Sequence, residues 1–428
     1  MPNGVVKNIS EAIKWLKLGA KSGNPYSQMR LGDSYLAGRG VEKSKAEAEL
    51  WYARAMQSLE NERILRQGYS YLSGVGVEKN LIIISNYFSK KIKNIKLISA
   101  ENRLQNFFNK KINFISPSRK FSKNKNKITK YLICLFLLFK EYLKNKNFII
   151  FAFQANIYAI ILAKILNIKI ITRSNSSPSG WSKNPIKKIL FRFFLPMADE
   201  IIVNSYDFKK QMDKEFNLET KLILNPFDYK KIKKLKNEKI KDNFFKDKKN
   251  FKIINAARLT DQKDHLTLLK AFKIINKKIK SKLLIIGSGK NKEIIKNYIS
   301  ENNLHYSVKL IPFQNNPYNY INAADLFILT SKFEGLPNVL LEALSLKKFV
   351  ISANCPTGPS EILLRGKAGY LFKMEDYKQL AKKILTHYKN QKKNKLMTNC
   401  GYLSLSRYDY KKNCEKYFNL ILDYLKNE

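Results

Sequence analysis

Short apolar runs alternate with helix-like segments from about residue 92 onward. The runs are rich in Ile, Leu, Val and Phe, and amphipathic segments separate most of them. Apolar runs joined by helical crossovers are typical of parallel strands buried on both faces. The pattern therefore predicts an α/β protein with two doubly wound, Rossmann-like sheets. The predicted strands are IKLISA, NFIIFAF, IKIITR, EIIVNS, KLILN, FKIINAAR, KLLIIGSG, VKLIPF, DLFILTS and FVISAN.

The first 90 residues follow a different pattern, a repeat with a period of 36 residues. LGDSYLAGRGVEKS, from Leu31 to Ser44, aligns with QGYSYLSGVGVEKN, from Gln67 to Asn80. Two helices joined by a glycine turn, and repeated, indicate a short α-solenoid in which small residues stack against aromatic ones. The shared G-x-G-V turn resembles the Sel-like subclass of tetratricopeptide-type repeats, which implies a surface for binding a protein partner.

These patterns divide the chain into three predicted domains. Residues 1–91 are the Sel-like repeats. Residues 92–229 are the N-terminal Rossmann-like domain, which is partial and which we expect residues 410–428 to complete. Residues 230–409 are the C-terminal Rossmann-like domain, and its charged opening segment, Lys230 to Asn250, marks the junction.

The chain is strongly basic, with 80 Lys and Arg against 34 Asp and Glu and a formal net charge of +46. The simplest explanation is a genome-wide bias, since lysine is spread along the chain beside many Asn and Ile residues. The alternative is attraction to an anionic partner. Of such partners we expect an anionic membrane surface and no nucleic acid, because no zinc-finger spacing, RNP-like motif or basic zipper is present.

The location that we expect is the cytoplasm, with contact at the inner face of the cytoplasmic membrane. The cysteines Cys134, Cys355, Cys400 and Cys414 show no metal-like or redox-like spacing. The first residues lack the continuous apolar core of a signal peptide. The most apolar stretches, Tyr131 to Phe139 and Phe148 to Ala163, are too short or too polar to span a bilayer, so any membrane contact should be peripheral.

Candidate functional residues follow two of the predicted strands. Ligands of open parallel sheets bind beyond the carboxyl ends of the strands. Arg258 and Lys263 lie in the loop after FKIINAA and together could clamp a diphosphate. Glu334 follows DLFILTS, and the glycine-containing segment after it, Gly335 to Asn338, opens a helix whose free amide groups form an anion site.

A second carboxylate, Glu342, lies eight positions after Glu334. At 1.5 Å per helical residue the two are roughly 12 Å apart, too far to share a proton. We therefore expect them to hold different parts of one extended ligand. A sugar nucleotide has this shape, because a sugar, a diphosphate and a ribose follow one another.

The segment from about Lys252 to Phe372, with its E-x7-E motif, resembles the C-terminal half of the family 4 retaining glycosyltransferases, which have the GT-B fold. The resemblance implies a metal-independent hexosyltransferase whose catalytic residues are Glu334, Arg258 and Lys263. It implies that the donor, a UDP- or GDP-linked sugar, contacts Glu342, Gly335, Leu336, Pro337, Asn338 and Phe313. No metal and no cofactor other than this substrate is expected.

The sequence departs from that family in several places. No strand and Gly-Gly loop precede LIIISNYFSKK, so one anion-binding loop is missing and the N-terminal domain is incomplete. Pro312 stands where relatives usually have glycine. Near the strand IKIITR, where many relatives carry a histidine, the acceptor-side candidates are Arg173, Ser174 and Asn175. The histidines themselves, His265, His305 and His387, are expected at the surface.

The leading hypothesis is transfer of a hexose or N-acetylhexosamine to a glycan acceptor, lipid-linked, in the synthesis of cell-surface polysaccharide or lipopolysaccharide. The CPTGPSEIL segment resembles members that act on lipid-linked surface polysaccharides. The alternative is a catalytically impaired protein that holds a nucleotide sugar and uses its repeats as a scaffold. The missing Gly-Gly loop motivates this alternative.

Overall fold

The computed structural model describes residues 9–21, 24–56, 76–100, 102–118, 126–153, 156–174, 185–240, 243–314 and 316–426, apart from 246 and 248. The chain divides into two compact units, Met1–Tyr69 and Ser70–Glu428. Within the described residues, no helix is both long enough and apolar enough to cross a membrane.

The first unit is helical. It contains α1 (Ile9–Lys21), α2 (Pro25–Ala37) and α3 (residues 45–56). The Asn24 side chain caps α2 by accepting a hydrogen bond from the Ser27 N–H at 2.9 Å. Gly38 ends the same helix with a φ of 68°, a left-handed conformation that favours glycine.

The repeat packing in this unit sets a small residue against an aromatic one. A Cβ on Gly32 of α2 would lie 2.7 Å from the Tyr52 ring of α3, so only glycine lets the two helices approach this closely. The Tyr52 hydroxyl donates to Asp33 at 2.8 Å. The corresponding positions of the next repeat, 67–75, lie outside the described residues.

The second unit begins with an α/β region. Its elements are α4 (Gly76–Phe88), β1 (Lys96–Ile98), β2 (Asn113–Ile115), α5 (Lys127–Lys144), β3 (Ile150–Ala152), α6 (Asn156–Ile165), β4 (Ile170–Arg173), α7 (Pro185–Phe194), β5 (Glu200–Val203), α8 (Tyr206–Phe216) and β6 (Lys221–Leu222). Strands β3 to β6 form a parallel sheet in the order β3-β4-β5-β6, which we call the N-terminal sheet. Strands β1 and β2 form a separate parallel pair.

Helices cover both faces of the N-terminal sheet. On one face, Leu138 of α5, Ile160 of α6 and Phe208 of α8 pack into a core with Ile170 of β4. On the other face, Ile84 and Phe88 of α4 pack with Tyr417 of the last helix, α17 (Tyr410–Lys426). The end of the chain therefore returns to the N-terminal sheet.

The C-terminal region carries a larger parallel sheet, the C-terminal sheet. After α9 (Tyr229–Leu235), its elements are β7 (Phe251–Ala256), α10 (His265–Asn276), β8 (Ser281–Ile286), α11 (Lys292–Glu301), β9 (Val308–Ile311), α12 (Tyr318–Ala323), β10 (Leu326–Leu329), α13 (Asn338–Ser345), β11 (Phe349–Ala353), α14 (Pro359–Ile362), β12 (Tyr370–Phe372), α15 (Tyr377–Lys389) and α16 (Gln391–Ser404). Short 3-10 turns span Asn102–Phe107, Leu195–Met197, Asp261–Lys263, Leu364–Gly366 and Leu405–Tyr408.

The strand order of the C-terminal sheet is β12-β11-β10-β7-β8-β9. Counted from β7, this is the 3-2-1-4-5-6 order of the Rossmann fold, read from the opposite edge. The order reverses between β7 and β10, which pair directly, with Leu326 beside Ile253. The predicted α/β class with two Rossmann-like sheets is confirmed.

Candidate functional site

The loops that leave β7 and β10 lie side by side, because those two strands are neighbours at the reversal of strand order. In open α/β sheets this topological switch point is where ligands bind. The β7 loop carries Arg258 and Lys263, and the β10 loop carries Glu334. Residues predicted from two separate strand ends therefore reach one site.

Hydrogen bonds tie these two loops together. The Gln262 side chain donates to the Phe333 carbonyl at 2.8 Å, and the Gln262 carbonyl accepts from the Lys332 N–H at 2.8 Å. The Thr330 hydroxyl donates to the Lys263 carbonyl at 2.8 Å. Because each loop fixes the backbone of the other, the charged side chains between them are held in place. Our sequence analysis missed the tethering role of Gln262.

The charged residues differ in how tightly they are held. Lys263 forms an ion pair with Glu334, and both side chains are largely buried. The Arg258 side chain is exposed, and its guanidinium lies 3.4 Å from the Gln262 side-chain oxygen. Arg258 thus presents cationic N–H groups at the mouth of the site, and Lys263 supplies a second cation deeper within it.

Close backbone packing shapes the wall beside Glu334. Gly358 has a φ of 90°, and a Cβ there would lie 2.3 Å from the Gly335 carbonyl. The Thr357 hydroxyl donates to the Glu334 carbonyl at 2.5 Å. The loop after β11 therefore supports the β10 loop, and only glycine fits at position 358.

Helix α13 starts at the site. Pro337 directly precedes the helix, which begins at Asn338, and no side chain caps its first amide groups. Leu336 is buried beneath the turn. The Asn338 side-chain oxygen accepts from the Asn225 amide at 3.0 Å, which anchors the helix start to the chain leaving the N-terminal sheet. Open amide groups at a helix start favour an anion.

Glu342, one turn into α13, is 1% exposed and pairs with a residue that our sequence analysis did not single out. The Lys79 ammonium of α4 lies 2.7 Å from its Oε1. Its Oε2 has no hydrogen-bond partner among the described residues. One carboxylate oxygen is thus held by a cation, and the other is left as a buried acceptor.

The charges of this pair depend on each other. Burial raises the pKa of the Glu342 carboxyl, and the Lys79 ammonium opposes that rise. Burial lowers the pKa of the Lys79 ammonium, but the attraction of Glu342 and of Tyr318 outweighs it, so the net change is upward. Each group therefore stabilises the charged form of the other.

The acceptor-side candidates lie in the N-terminal sheet rather than on an open surface. Arg173, at the end of β4, is 0% exposed; its Nε donates to the Tyr417 hydroxyl at 2.9 Å and its Nη2 to the Asn225 side chain at 2.5 Å. Ser174 is buried, and its N–H donates to the Ile202 carbonyl. Asn175 lies outside the described residues. Arg173 thus connects α17 to Asn225, which in turn contacts Asn338.

Phe313 follows β9 and is partly exposed. Its N–H donates to the Ser288 hydroxyl at 3.2 Å, and Ser288 stands between Gly287 and Gly289 in the loop after β8. A Cβ on Gly289 would lie 2.3 Å from the Leu259 carbonyl of the β7 loop. The loops after β8 and β9 therefore continue the same edge of the sheet.

The expected surface position of the histidines is wrong for two of the three. His265 and His387 are buried, and His305 is exposed. Burial lowers the pKa of His265 to about 4, with a smaller effect of Lys263, and lowers that of His387 to about 4. His387 stacks on Phe349 with ring centroids 4.0 Å apart. Both therefore belong to the core as neutral rings.

Within the described part of the chain, no group of three or more His, Cys, Asp or Glu side chains is placed to hold a metal ion.

Two parts of the chain match known protein families. Residues 236–404 match the family of glycosyl transferases group 1, and residues 2–24, 25–57 and 66–83 match the Sel1 repeat. The chain therefore carries a group 1, GT4-type glycosyltransferase domain behind N-terminal Sel1 repeats.

Several curated relatives are similar to about half of the chain. An uncharacterized glycosyltransferase of Methanocaldococcus jannaschii is 35% identical over 48% of this chain and 53% of its own length. The N-acetylgalactosamine-N,N'-diacetylbacillosaminyl-diphospho-undecaprenol 4-alpha-N-acetylgalactosaminyltransferase of Campylobacter jejuni is 29% identical over 50% and 57%. The amylovoran biosynthesis glycosyltransferase AmsD of Erwinia amylovora is 28% identical over 54% and 66%. The chain thus spans about half to two thirds of the length of these relatives.

A solved structure resembles a larger part of the chain. Anabaena HepE in complex with UDP-glucose aligns with a TM-score of 0.65 and 18% identity, over 83% of this chain and 96% of that one. At this identity the likeness establishes the GT-B fold. The relatives in sequence therefore match about half of this chain, whereas the likeness in fold covers most of it.

Proposed function

We propose that the chain is a retaining, metal-independent glycosyltransferase that moves a hexose or N-acetylhexosamine from a nucleotide diphosphate sugar to a glycan acceptor. The observation that carries the proposal is the meeting of Arg258, Lys263 and Glu334 at the switch point of the C-terminal sheet. This is where a doubly wound sheet binds a nucleotide.

In this proposal, Arg258 and Lys263 bind the donor diphosphate. When the bond between the sugar and the phosphate breaks, negative charge grows on the leaving nucleotide. Fixed cations stabilise that charge without reorganising, which lowers the barrier. Lys263 is already oriented by its ion pair with Glu334, and the open amide groups of α13 add a further anion site. No metal ion is needed in this scheme.

Glu334 contacts the hydroxyls of the transferred sugar, and Glu342 accepts hydrogen bonds from the ribose of UDP or GDP. The unpartnered Oε2 of Glu342 supports the second role, because a buried carboxylate oxygen without a partner is costly and a ligand hydroxyl would satisfy it. Because Glu342 is 1% exposed beside Lys79, access of the ribose to its carboxylate requires the residues around Lys79 to shift.

The acceptor in this proposal is a lipid-linked glycan of cell-surface polysaccharide synthesis, reached at the inner face of the cytoplasmic membrane. The relative from Campylobacter jejuni, whose name specifies a diphospho-undecaprenol acceptor, supports a lipid-linked glycan. The relative from Erwinia amylovora, named for amylovoran biosynthesis, supports a polysaccharide product. In this proposal the Sel1 repeats bind a protein partner.

Nucleotide binding tests the donor site directly. UDP, GDP and a panel of their sugars are titrated calorimetrically into the wild type and into Glu342→Ala, and each binder is then incubated to detect hydrolysis or transfer. We expect one nucleotide sugar to bind and the variant to bind it at least about tenfold more weakly, the loss typical of a buried hydrogen bond to a charged group. No binding to the wild type would contradict the proposal.

A scaffold protein that binds a nucleotide sugar without turning it over is the second candidate. The burial of Glu342 beneath Lys79 favours it, because a permanently closed pair would keep the ribose from its carboxylate. The same titration separates the two functions. Binding followed by release of nucleotide supports the enzyme, whereas tight binding with no turnover across a broad acceptor set supports the scaffold.

A further inference from the structure

Helix α5 carries an exposed apolar stripe in addition to its buried face. Ile128, Leu132, Phe136, Phe139 and Leu143 are all exposed, with Leu132 at 60% and Phe136 at 62%. Their spacing of three or four residues places them on one side of the helix. A different side of α5 faces inward, where Leu138 and Tyr142 pack against the core of the N-terminal sheet. Covering the core therefore does not explain the stripe.

The neighbouring helices add to this surface. Helix α5 packs against α6, which packs against α7, so the three lie in one layer over the N-terminal sheet. Tyr158 of α6 lies against Tyr131 of α5, with ring centroids 5.6 Å apart, and is itself exposed. The other exposed apolar side chains of the layer are Ile165, Ile189, Leu190 and Phe193, and the exposed Met197 follows in the 3-10 turn after α7. We call the outward side of α5, α6 and α7 the apolar face.

An exposed surface of this kind requires an explanation. Single exposed apolar residues are ordinary, but a concentration of large ones marks a binding site in soluble proteins. Phe136, Phe193 and Leu132 have no covering element within the described part of the chain. A partner is therefore expected on the apolar face.

The sequence segment that contains the apolar face is almost wholly basic, although Asp199, which follows it, pairs with Lys164 of α6 at 3.0 Å. From residue 102 to residue 198 the sequence has nineteen Lys and Arg and one acid, Glu141, whereas the whole chain has 80 against 34. Glu141 is buried and pairs with Lys96 and Lys144. The segment that contains this face therefore has a larger excess of basic over acidic residues than the chain as a whole.

Basic side chains border the apolar stripe of α5 directly. Lys140 is exposed, and its ammonium lies 5.9 Å from the centroid of the Phe136 ring. Lys144 and Lys146 follow at the end of the helix and are exposed too. On α7, Arg192 stands beside Phe193 in sequence and is exposed. Long basic side chains next to apolar ones can bury their stems while they keep their charges at the polar boundary.

We propose that the apolar face docks onto the surface of an anionic phospholipid bilayer. In this arrangement α5 and α7 lie in the plane of the interface, with Leu132, Phe136 and Phe193 among the acyl chains. Lys140, Lys146 and Arg192 lie at the level of the lipid phosphates. Apolar insertion and charge attraction act together in such interfacial helices.

The inference deepens the proposed function and rests on it for its purpose, since an enzyme that elongates a lipid-linked glycan must work at a bilayer. The docking itself depends on none of the donor-site residues. Vesicle binding is therefore measured without nucleotide, and nucleotide binding is measured without vesicles, so that either proposal can fail alone.

The test is co-sedimentation of the full chain with vesicles of phosphatidylcholine containing 30% phosphatidylglycerol, a composition about as anionic as a cytoplasmic leaflet. Wild type is compared with Leu132→Glu/Phe136→Glu and with the charge variant Lys140→Glu/Lys146→Glu. The matched control is Leu396→Glu/Leu403→Glu, two leucines of α16 that are 75% and 71% exposed and far along the chain from the face. Thermal melting and nucleotide titration of each variant check that it folds.

We expect the wild type and the α16 control to bind the anionic vesicles, and both α5 variants to lose at least about tenfold in affinity. Binding of the wild type should weaken with added salt and on pure phosphatidylcholine. Equal binding by all four proteins, or no binding by the wild type, would overturn the inference. So would concentration-dependent self-association abolished by Leu132→Glu/Phe136→Glu without vesicle binding, because it would assign the face to a second copy of the chain.

Discussion

Lys79 and Glu342 form a buried ion pair between residues 263 positions apart in the sequence. Both side chains are almost completely removed from water, at 13% and 2% exposure. Breaking such a pair by removing one partner leaves an uncompensated buried charge, which destabilises a protein far more than the loss of a surface pair. The pair is therefore the contact through which α4 acts on the proposed ribose site.

Replacing Lys79 with methionine tests this. We expect Lys79→Met to lower the free energy of unfolding by about 3–5 kcal/mol and to weaken nucleotide binding, because Glu342 loses the cation that orients and ionises it. Urea unfolding and calorimetric titration measure the two effects. Lys43→Met is the matched control, since Lys43 occupies the equivalent position of the first repeat and is exposed. Tighter nucleotide binding by Lys79→Met would instead mean that Lys79 competes with the ligand.

The positions of candidate site residues were predictable from the sequence where the residues directly follow a strand. Arg258, Lys263 and Glu334 each follow a clear apolar run, and the rule about strand ends led to them. Lys79 gave no such signal, because its repeat equivalent Lys43 is an ordinary surface residue. Arg173 was expected near the acceptor but is enclosed by Tyr417 and Asn225, partners that come from distant segments.

At the scale of elements, the loop after β11 positions the loop after β10 through one glycine. Gly358 combines a φ of 90° with direct contact to the Gly335 carbonyl. Gly366, nearby in sequence, has a φ of 95° but nothing within 4 Å of the place where its Cβ would stand. Comparing the two positions therefore distinguishes the energetic cost of a left-handed backbone from the cost of a steric clash.

Alanine substitution uses this difference. Gly366→Ala should cost about 1 kcal/mol, the penalty of an L residue in this region of backbone space. Gly358→Ala should cost that amount and more, because the clash also displaces the β10 loop, and it should weaken donor binding. Unfolding curves and nucleotide titrations of both variants provide the comparison. Equal effects of the two substitutions would show that the contact with Gly335 does not shape the site.

Most strands were predictable from the sequence because buried parallel strands are continuous apolar runs. The two that were missed, β2 and β12, span three residues each, at Asn113–Ile115 and Tyr370–Phe372. Strands β1 and β3 are equally short and were predicted, so length alone does not decide whether a strand is recognised. Helix α5 shows a second limit of prediction from the sequence. Its apolar run gives no means of deciding that one side packs inward while Leu132 and Phe136 stay exposed.

At the scale of the whole molecule, buried histidines make stability depend on pH. His265 has a folded pKa of about 4 against an ordinary value of 6.5, and within the described chain neither of its ring nitrogens has a partner. Between these values the unfolded chain binds a proton that the folded chain does not. The free energy of unfolding should therefore fall as the pH drops from about 6.5 to about 4.

The variant His265→Leu should lose part of this dependence. Up to about 3 kcal/mol of the fall between pH 7 and pH 4 should disappear, and stability at pH 7 should stay the same or rise, since an unpaired buried imidazole is removed. Urea unfolding at several pH values measures the effect. His305→Leu is the control because His305 is exposed. An unchanged pH profile in His265→Leu would assign the acid sensitivity to other groups.

The global architecture was predictable to the level of two Rossmann-like sheets, because the apolar runs and their crossovers are long-range regularities. The strand order was not, since the runs alone do not say which strands are neighbours. That order is what joins the loop of Arg258 to the loop of Glu334. The separate β1-β2 pair and the packing of α4 with α17 also depend on contacts between distant segments.

The most direct test of the central claim is transfer itself. The nucleotide sugar that binds is incubated with a lipid-linked glycan in anionic vesicles, and both the released nucleotide and the extended glycan are measured. Wild type is compared with Arg258→Met/Lys263→Met, and with Lys296→Met on α11 as a matched control. We predict equal amounts of nucleotide and product with the anomeric configuration retained, and a loss of at least about a hundredfold in rate for the double variant alone. Binding without transfer by the wild type, or full activity in the double variant, would contradict the account.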